Sequence, residues 1–150
     1  TIMGLIPIWI ILFFLFKPDF SGVSLSGILL SIPAMILGFF IGYLLSAAIT
    51  SLAFWTTRVY SIHEFYFAII LLFSGQFVPL PLMPKVIQDI AQFLPFQLFM
   101  YYPIQLILGK LSAEQIIQGY VMAGVWLVIS ILFFNWVWRN GVKRYSAVGA

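Results

Sequence analysis

His63 and Glu64 are the two neighbouring residues whose types come closest to a catalytic pattern. In zinc proteases the pattern H-E-x-x-H places two histidines on one face of a helix, where they bind the metal, and the glutamate is the general base. The position of the second histidine is Phe67 here, and His63 is the only histidine in the chain. The zinc pattern is therefore incomplete. Ser61 and Glu64 instead have the spacing of a capping box, which predicts that a helix begins at Ser61.

Other sequence patterns that carry chemistry are also incomplete. Gly109-Lys110 lacks the first glycine and the following hydroxyl residue of a phosphate-binding P-loop. The chain has no cysteine, so neither disulfides nor thiolate metal sites can form. It offers no Ser/His/Asp set and no carboxylate pair at a plausible site. We therefore expect no catalytic residue, no cofactor and no metal ion, and predict that this chain is not an enzyme.

The composition is that of an integral membrane protein. Charged residues make up 7% of the chain and hydrophobic residues 63%, with a mean hydropathy of +1.12. An average soluble domain has about 25% charged residues, and a chain of 150 residues cannot hide so much apolar surface from water. The formal net charge is only +3, and no basic cluster on a soluble surface supports nucleic-acid binding.

Apolar segments that could cross a bilayer occur four times, which predicts an all-α integral membrane fold. A transmembrane helix needs about 20 apolar residues to cross about 30 Å of hydrocarbon. The first segment is short, and Pro33 is expected in the first turn of the second or at a kink within it. Ser112 and Gln115 form a second capping box, which predicts the start of the last helix. The predicted helices cover about residues 2–16, 28–55, 64–82 and 113–138.

The third predicted span is interrupted by polar residues and prolines. Proline removes a backbone donor and breaks a helix, and lipid offers no replacement partner. We predict that the prolines end the span early and that residues 79–108 form a re-entrant helical hairpin in the outer leaflet. The polar side chains either satisfy the freed carbonyl groups or line a substrate path. The residues of this break and hairpin are Ser74, Gly75, Gln76, Pro79, Pro81, Pro84, Pro95 and Pro103.

A short amphipathic helix is predicted inside the hairpin, with Pro84 at its first turn. One face is polar and the other apolar, which is typical of a helix that lies on a membrane surface. The polar face has Lys85, Gln88, Asp89 and Gln92, and the apolar face has Val86, Ile87, Ile90 and Phe93.

Basic residues predict the orientation. Cytoplasmic loops carry an excess of Lys and Arg, and positive charge is densest in the loop before the third span and in the C-terminal tail. We therefore expect a multi-pass protein with a cytoplasmic C-terminus. The expected cytoplasmic anchors are Arg58, Arg139, Lys143 and Arg144.

Small residues recur at every fourth position in the second predicted span. Such a stripe lets another helix approach closely, and close packing drives helix association in lipid. The partner helix belongs either to the same chain or to a second subunit. The stripe consists of Ala34, Gly38, Gly42, Ser46 and Thr50.

A series of short motifs runs from the end of the second span to the C-terminal tail. These motifs are Phe54-Trp55, Phe73-Ser74-Gly75, Pro79-Leu80, Pro84, Leu94-Pro95-Phe96, Tyr102-Pro103, Leu108-Gly109, Trp126 and Lys143-Arg144-Tyr145. In this order and spacing the chain resembles the C-terminal half of a type-2 ABC transporter permease, over about residues 28–150. It is most similar to a branch of bacterial permeases related to the drug-export kind. The last two residues are Gly149-Ala150, where family tails usually have a glycine pair.

The resemblance implies a six-helix permease whose third to sixth helices are present here, so we expect this chain to be part of a larger protein. Family members work as dimers of permease subunits with separate cytoplasmic ATP-binding subunits. The resemblance therefore implies a subunit of an ATP-driven exporter in the inner (plasma) membrane, with an ATP-binding subunit, a second permease subunit and the lipid bilayer as partners. The alternative is a small membrane scaffold that binds partner helices through the small-residue stripe.

Overall fold

The computed structural model describes residues 22–148 and, before them, Pro7, Ile11 and Phe14, with side chains described as far as Arg144. Throughout this part of the chain the regular structure is helical, which confirms the predicted all-α fold. The predicted first helix, residues 2–16, lies outside the described residues apart from those three. Gly149 and Ala150 also lie outside.

Five α-helices and three 3₁₀ turns follow one another in the described part of the chain. The 3₁₀ turns are Leu52–Phe54, Leu80–Leu82 and Pro95–Leu98. The α-helices are α1 (Leu25–Ser51), α2 (Val59–Phe73), α3 (Lys85–Ala91), α4 (Tyr101–Ile107) and α5 (Ala113–Val148).

Two of these helical segments are long and apolar enough to cross a membrane. They are Leu25–Phe54, which is α1 with its 3₁₀ turn, and Ala113–Arg144 within α5. The helix α2 is apolar but has only 15 residues, which corresponds to about 22 Å at 1.5 Å per residue. That length is less than the bilayer core of about 30 Å.

The start of α2 differs from the prediction. The helix begins at Val59 with Arg58 at the N-cap, so Ser61 lies within the first turn and the predicted capping box of Ser61 and Glu64 is wrong. The reason is local: the Thr56 hydroxyl accepts a hydrogen bond from the Arg58 backbone N–H at 3.1 Å. The chain is therefore already organised before it reaches Ser61. The end of α2 differs as well, because the helix stops at Phe73, six residues before Pro79.

The second predicted capping box is confirmed at the start of α5. The Ser112 backbone N–H donates to Gln115 Oε1 at 2.9 Å, and the Gln115 N–H donates to Ser112 Oγ at 3.3 Å. This reciprocal pair satisfies two backbone donors that a helix start leaves without intrahelical partners. The sequence did not single out the cap of α1, where Ser24 accepts from the Gly27 N–H at 3.1 Å.

The helices α1 and α5 run side by side in the same direction. Near their first turns the Tyr120 hydroxyl donates to the Leu30 carbonyl, and beyond the end of α1 the rings of Phe54 and Trp138 lie 5.8 Å apart. Buried residues repeat every seven positions on both helices, the spacing of a left-handed supercoiled seam. They are Ala34, Ile41 and Ala48 on α1, and Ala123, Ser130 and Val137 on α5.

Pro33 lies inside α1, well past its first turn. A proline in a helix lacks the N–H that would bond four residues back, and its ring crowds the preceding turn. The bond that Pro33 removes from α1 is the one to the Leu29 carbonyl oxygen, four residues back. The Tyr120 hydroxyl of α5 donates to the next carbonyl oxygen, that of Leu30. Tyr120 thus joins α5 to the turn of α1 that Pro33 weakens.

Removing this hydrogen bond is expected to destabilise the protein. Tyr120→Phe should lower the free energy of unfolding by about 0.5–1 kcal/mol, the usual net value of one hydrogen bond in a membrane protein. Unfolding of the variant and of the wild type in the same detergent gives the difference.

The exposed Tyr43 provides the control, since Tyr43→Phe removes a hydroxyl from the same helix pair without touching this bond. Equal losses for Tyr120→Phe and Tyr43→Phe would show that the Tyr120 hydroxyl does not stabilise the helix pair.

Candidate functional site

The turn after α2 is held by Ser74 and Gly75. Ser74 is buried; its Oγ accepts from the Gln76 backbone N–H at 3.2 Å, and its carbonyl oxygen accepts from the Tyr101 N–H at 3.1 Å. Gly75 has a φ of +76°, a conformation that residues with a Cβ rarely adopt. These two residues, and not the prolines, end α2, which corrects the sequence prediction. The Gln76 side chain is exposed.

The prolines shape the chain that follows this turn. Pro79 precedes the 3₁₀ turn Leu80–Leu82, and Pro84 precedes α3, as the sequence predicted for the short helix. The Gln88 amide donates to two carbonyl oxygens of this stretch, that of Met83 at 2.8 Å and that of Pro81 at 3.3 Å. The sequence placed Gln88 only on a polar helix face, so its role as a partner for the proline-rich backbone was missed.

The helix α3 presents its apolar residues at the molecular surface. Val86 and Ile90 of α3 are exposed, as is Phe93 two residues beyond its end, while Lys85 and Asp89 form an ion pair of 3.2 Å one turn apart. An ion pair in water adds little stability. The two predicted faces of this helix are therefore present, and its apolar face is not covered by the described chain.

The segment from Pro95 to Ile107 packs directly on α1. Pro95 and Pro103 are buried here, in the 3₁₀ turn and in α4 respectively. At Gly38 a Cβ would lie 2.5 Å from the Leu98 carbonyl oxygen, and at Gly27 a Cβ would lie 2.5 Å from that of Leu106. Contacts this short are possible only where the helix has no side chain. The backbone of the segment therefore rests against the backbone of α1.

The same segment is joined to α5 through Tyr102. Its hydroxyl donates to the Ile116 carbonyl oxygen at 2.7 Å, and its ring occupies the space above Gly119, where a Cβ would lie 2.1 Å from the ring. The Trp126 indole N–H of α5 donates to the Phe93 carbonyl oxygen at 3.1 Å. The residues between α2 and α5 are thus fixed to both long helices.

The small-residue stripe of α1 does not face a single neighbour. Ala34 and Gly38 are buried. A Cβ on Gly42 would lie 3.5 Å from the Phe99 ring, and Ser46 bonds His63 of α2. Thr50 is exposed and donates to the Ser46 carbonyl oxygen. A step of four residues turns about 400°, so the stripe advances by about 40° per step around the helix. The buried residues in the first half of α1 instead alternate steps of four and three, which add up to the repeat of seven. They are Gly27, Ser31, Ala34, Gly38 and Ile41.

His63 links α1 to α2. Its Nε2 lies 2.9 Å from Ser46 Oγ, whereas Glu64 is exposed and does not cap the helix. Among residues 22–148 no group of three potential metal ligands occurs. The side chain that suggested zinc chemistry in the sequence instead forms a bond between helices.

The four predicted basic anchors lie at one end of the molecule. Arg58 immediately precedes α2, a few residues after the 3₁₀ turn Leu52–Phe54 that follows α1. In that turn, Phe54 contacts Trp138 of α5. The side chains of Arg58, Arg139, Lys143 and Arg144 are exposed. Lys110 lies just before the first residue of α5, at the opposite end of that helix from Arg139, Lys143 and Arg144.

The close contact at Gly38 yields a matched pair of substitutions. Gly38→Ala forces the Leu98 backbone away and should cost about 1–3 kcal/mol, as overpacked cores do. Gly42→Ala meets only the Phe99 ring at 3.5 Å, an ordinary van der Waals distance, and should change stability by less than about 0.5 kcal/mol. Both residues belong to α1, so thermal unfolding in the same detergent compares them directly. Equal stabilities would show that Leu98 does not pack against Gly38.

Comparison with known proteins gives one match. The sequence matches the family described as ABC-2 family transporter protein, over residues 3–149, while no curated protein and no solved structure matches the chain. The match confirms the resemblance to a type-2 ABC transporter permease. Since it extends over nearly the whole chain, the protein belongs to the ABC-2 family of transporter proteins.

Proposed function

We propose that the chain is part of a permease subunit of an ATP-driven exporter, with ATP hydrolysed by a separate subunit. The observation that carries this proposal is the family match over residues 3–149. The helices agree with it, since two of them are long and apolar enough to span a membrane. The described residues contain no P-loop, and we assign ATP hydrolysis to a separate subunit.

The proposed membrane arrangement has α1 and α5 as full spans, with residues 79–108 as a re-entrant hairpin in the outer leaflet. Several of the most exposed side chains in and just before this part are large and apolar: Phe77 is 77% exposed, Leu82 75% and Phe93 76%. Such residues favour lipid over water. The helix α2 is too short to cross alone, and the hairpin would complete the crossing. With the predicted helix at 2–16, this gives the four helices of the C-terminal part of a permease.

The basic end of the molecule would face the cytoplasm, where the ATP-binding subunit is expected. Arg58 and the basic residues 139–144 lie at that end, as the positive-inside rule requires. A second permease subunit would contact the apolar surface of α1 that the described chain leaves exposed, which includes Phe39, Phe40 and Tyr43. The plasma membrane of a bacterial cell is the proposed location.

The alternative scaffold function is less well supported. It requires the stripe on α1 to be free for a partner helix, yet Ala34 and Gly38 are buried against other parts of the same chain. Only the second half of the stripe, from Gly42 to Thr50, remains accessible to a partner.

Purification of the full-length protein from its native membrane tests the transport function. We expect a subunit with a complete P-loop to co-purify, and we expect transport by the reconstituted complex to stop when the P-loop lysine of that subunit is replaced. Reproducible purification without any ATP-binding subunit would contradict the permease function and favour the scaffold.

Single introduced cysteines test the membrane arrangement. The 150-residue sequence contains no cysteine, so each label reports one position. An impermeant maleimide added to intact cells should label Ser112→Cys, and should label Thr57→Cys only after the cells are permeabilised. Phe93→Cys should react slowly under both conditions, since its exposed side chain would lie in lipid. All three positions are exposed in the folded chain, so the labelling rate depends on whether the position faces water or lipid. Labelling of Phe93→Cys as fast as Ser112→Cys would mean that residues 79–108 form an external loop.

A further inference from the structure

A polar cavity lies between the segment that follows α3 and the first turns of α5. Its volume is about 440 Å³, within the range of about 300–1,000 Å³ typical of small-molecule sites. Four glutamine side chains line it, together with aromatic and aliphatic groups. The glutamines are Gln92, Gln97, Gln115 and Gln118. We propose that this cavity binds a neutral polyhydroxylated ligand, namely a sugar or the sugar headgroup of a glycolipid.

The floor of the cavity is rigid. Leu98 and Tyr102 are both buried, and Tyr102 is fixed by its bond to the Ile116 carbonyl oxygen and by its close contact with Gly119. Met122 completes the floor, and its sulfur accepts from the Gln97 amide at 3.7 Å. A ligand would therefore meet a floor that is already ordered, which lowers the entropic cost of binding.

The glutamine side chains offer both donors and acceptors to a ligand. Gln97 and Gln118 use their amide nitrogens within the protein, on the Gln92 carbonyl oxygen and on Glu114 respectively, which leaves their Oε1 atoms as acceptors. Gln115 uses its Oε1 at the helix start, which leaves its amide nitrogen as a donor. A sugar hydroxyl both donates and accepts, so it matches such a mixed set better than a purely basic or acidic group does.

The lining of the cavity favours a neutral ligand over an anion. The residues that line it include no Lys or Arg to pair with an anion, and no Asp or Glu. The Glu114 carboxylate, bonded to the lining residue Gln118 at 3.2 Å, would repel an anion. Tyr101 and Tyr102 supply apolar ring surface beside the glutamines, which suits the C–H face of a sugar ring.

Saturation-transfer NMR on the full-length protein in lipid nanodiscs tests the site, with methyl β-glucoside as the probe. We expect saturable binding that weakens about tenfold or more in Gln92→Leu/Gln118→Leu, because two hydrogen bonds are lost. Both side chains are exposed, so this variant should fold. Asn135→Leu removes an exposed amide at the far end of α5 and should bind as the wild type does. Methyl β-glucuronide, which adds a carboxylate, should bind at least tenfold more weakly than the glucoside.

Nanodiscs with and without a glucosyl diacylglycerol distinguish the two sources of the sugar. Displacement of methyl β-glucoside by the glycolipid would identify a lipid headgroup as the ligand, and its failure to compete would identify a free sugar. No saturable binding, equal binding by the glutamine variant, or equal binding of the glucuronide would each overturn the inference. None of these results depends on transport or on the ATP-binding subunit, so the site and the proposed function can fail separately.

Discussion

A backbone carbonyl in an apolar environment must find a partner inside the protein, and this need explains the most irregular part of the fold. Between Phe73 and Ala113 the chain forms only short helices and turns, so many of its backbone groups lack the partners that a long helix provides. Side chains supply them at defined places: Gln88 donates to Met83 and Pro81, and Trp126 donates to Phe93. The irregular segment is therefore built from few polar side chains, each with a specific backbone partner.

Close approach between backbones is the second condition, and small residues provide it. Gly38 lets the Leu98 carbonyl rest on α1, and Gly119 lets the Tyr102 ring rest on α5. Van der Waals contact at short range is the main source of helix association where the solvent is as apolar as the side chains. The segment between α2 and α5 is thus clamped between two long helices that also contact each other along the heptad seam. The position of this segment therefore depends on the missing side chains at Gly38 and Gly119 as well as on the contacts of larger residues.

Regular patterns in the sequence predicted the helical class, the cap at Ser112 and the short helix after Pro84, because each depends on neighbours within one or two turns. The end of α2 and the direction of the stripe could not be predicted from such patterns. At Ser74 the decisive bond comes from Tyr101, far along the chain. In the stripe, a strict repeat of four does not match 3.6 residues per turn. The next buried residue after Gly38 is therefore Ile41 and not Gly42. The four glutamines of the cavity likewise come from two separate parts of the sequence, 92–97 and 115–118, and only the fold brings these parts together.

The contacts divide the described chain into a rigid part and an attached helix. The helices α1 and α5 pack side by side and share the segment that contains Leu98 and Tyr102. A displacement of one long helix alone would therefore break its contacts with the other. The helix α2 is attached more sparsely, through the bond from His63 to Ser46 and the ring contact between Tyr66 and Phe96. Packed interfaces shift as units and seldom deform continuously. A movement that begins at the basic end would therefore reach the opposite end through the α1–α5 pair, and α2 is the element that could change its position relative to them.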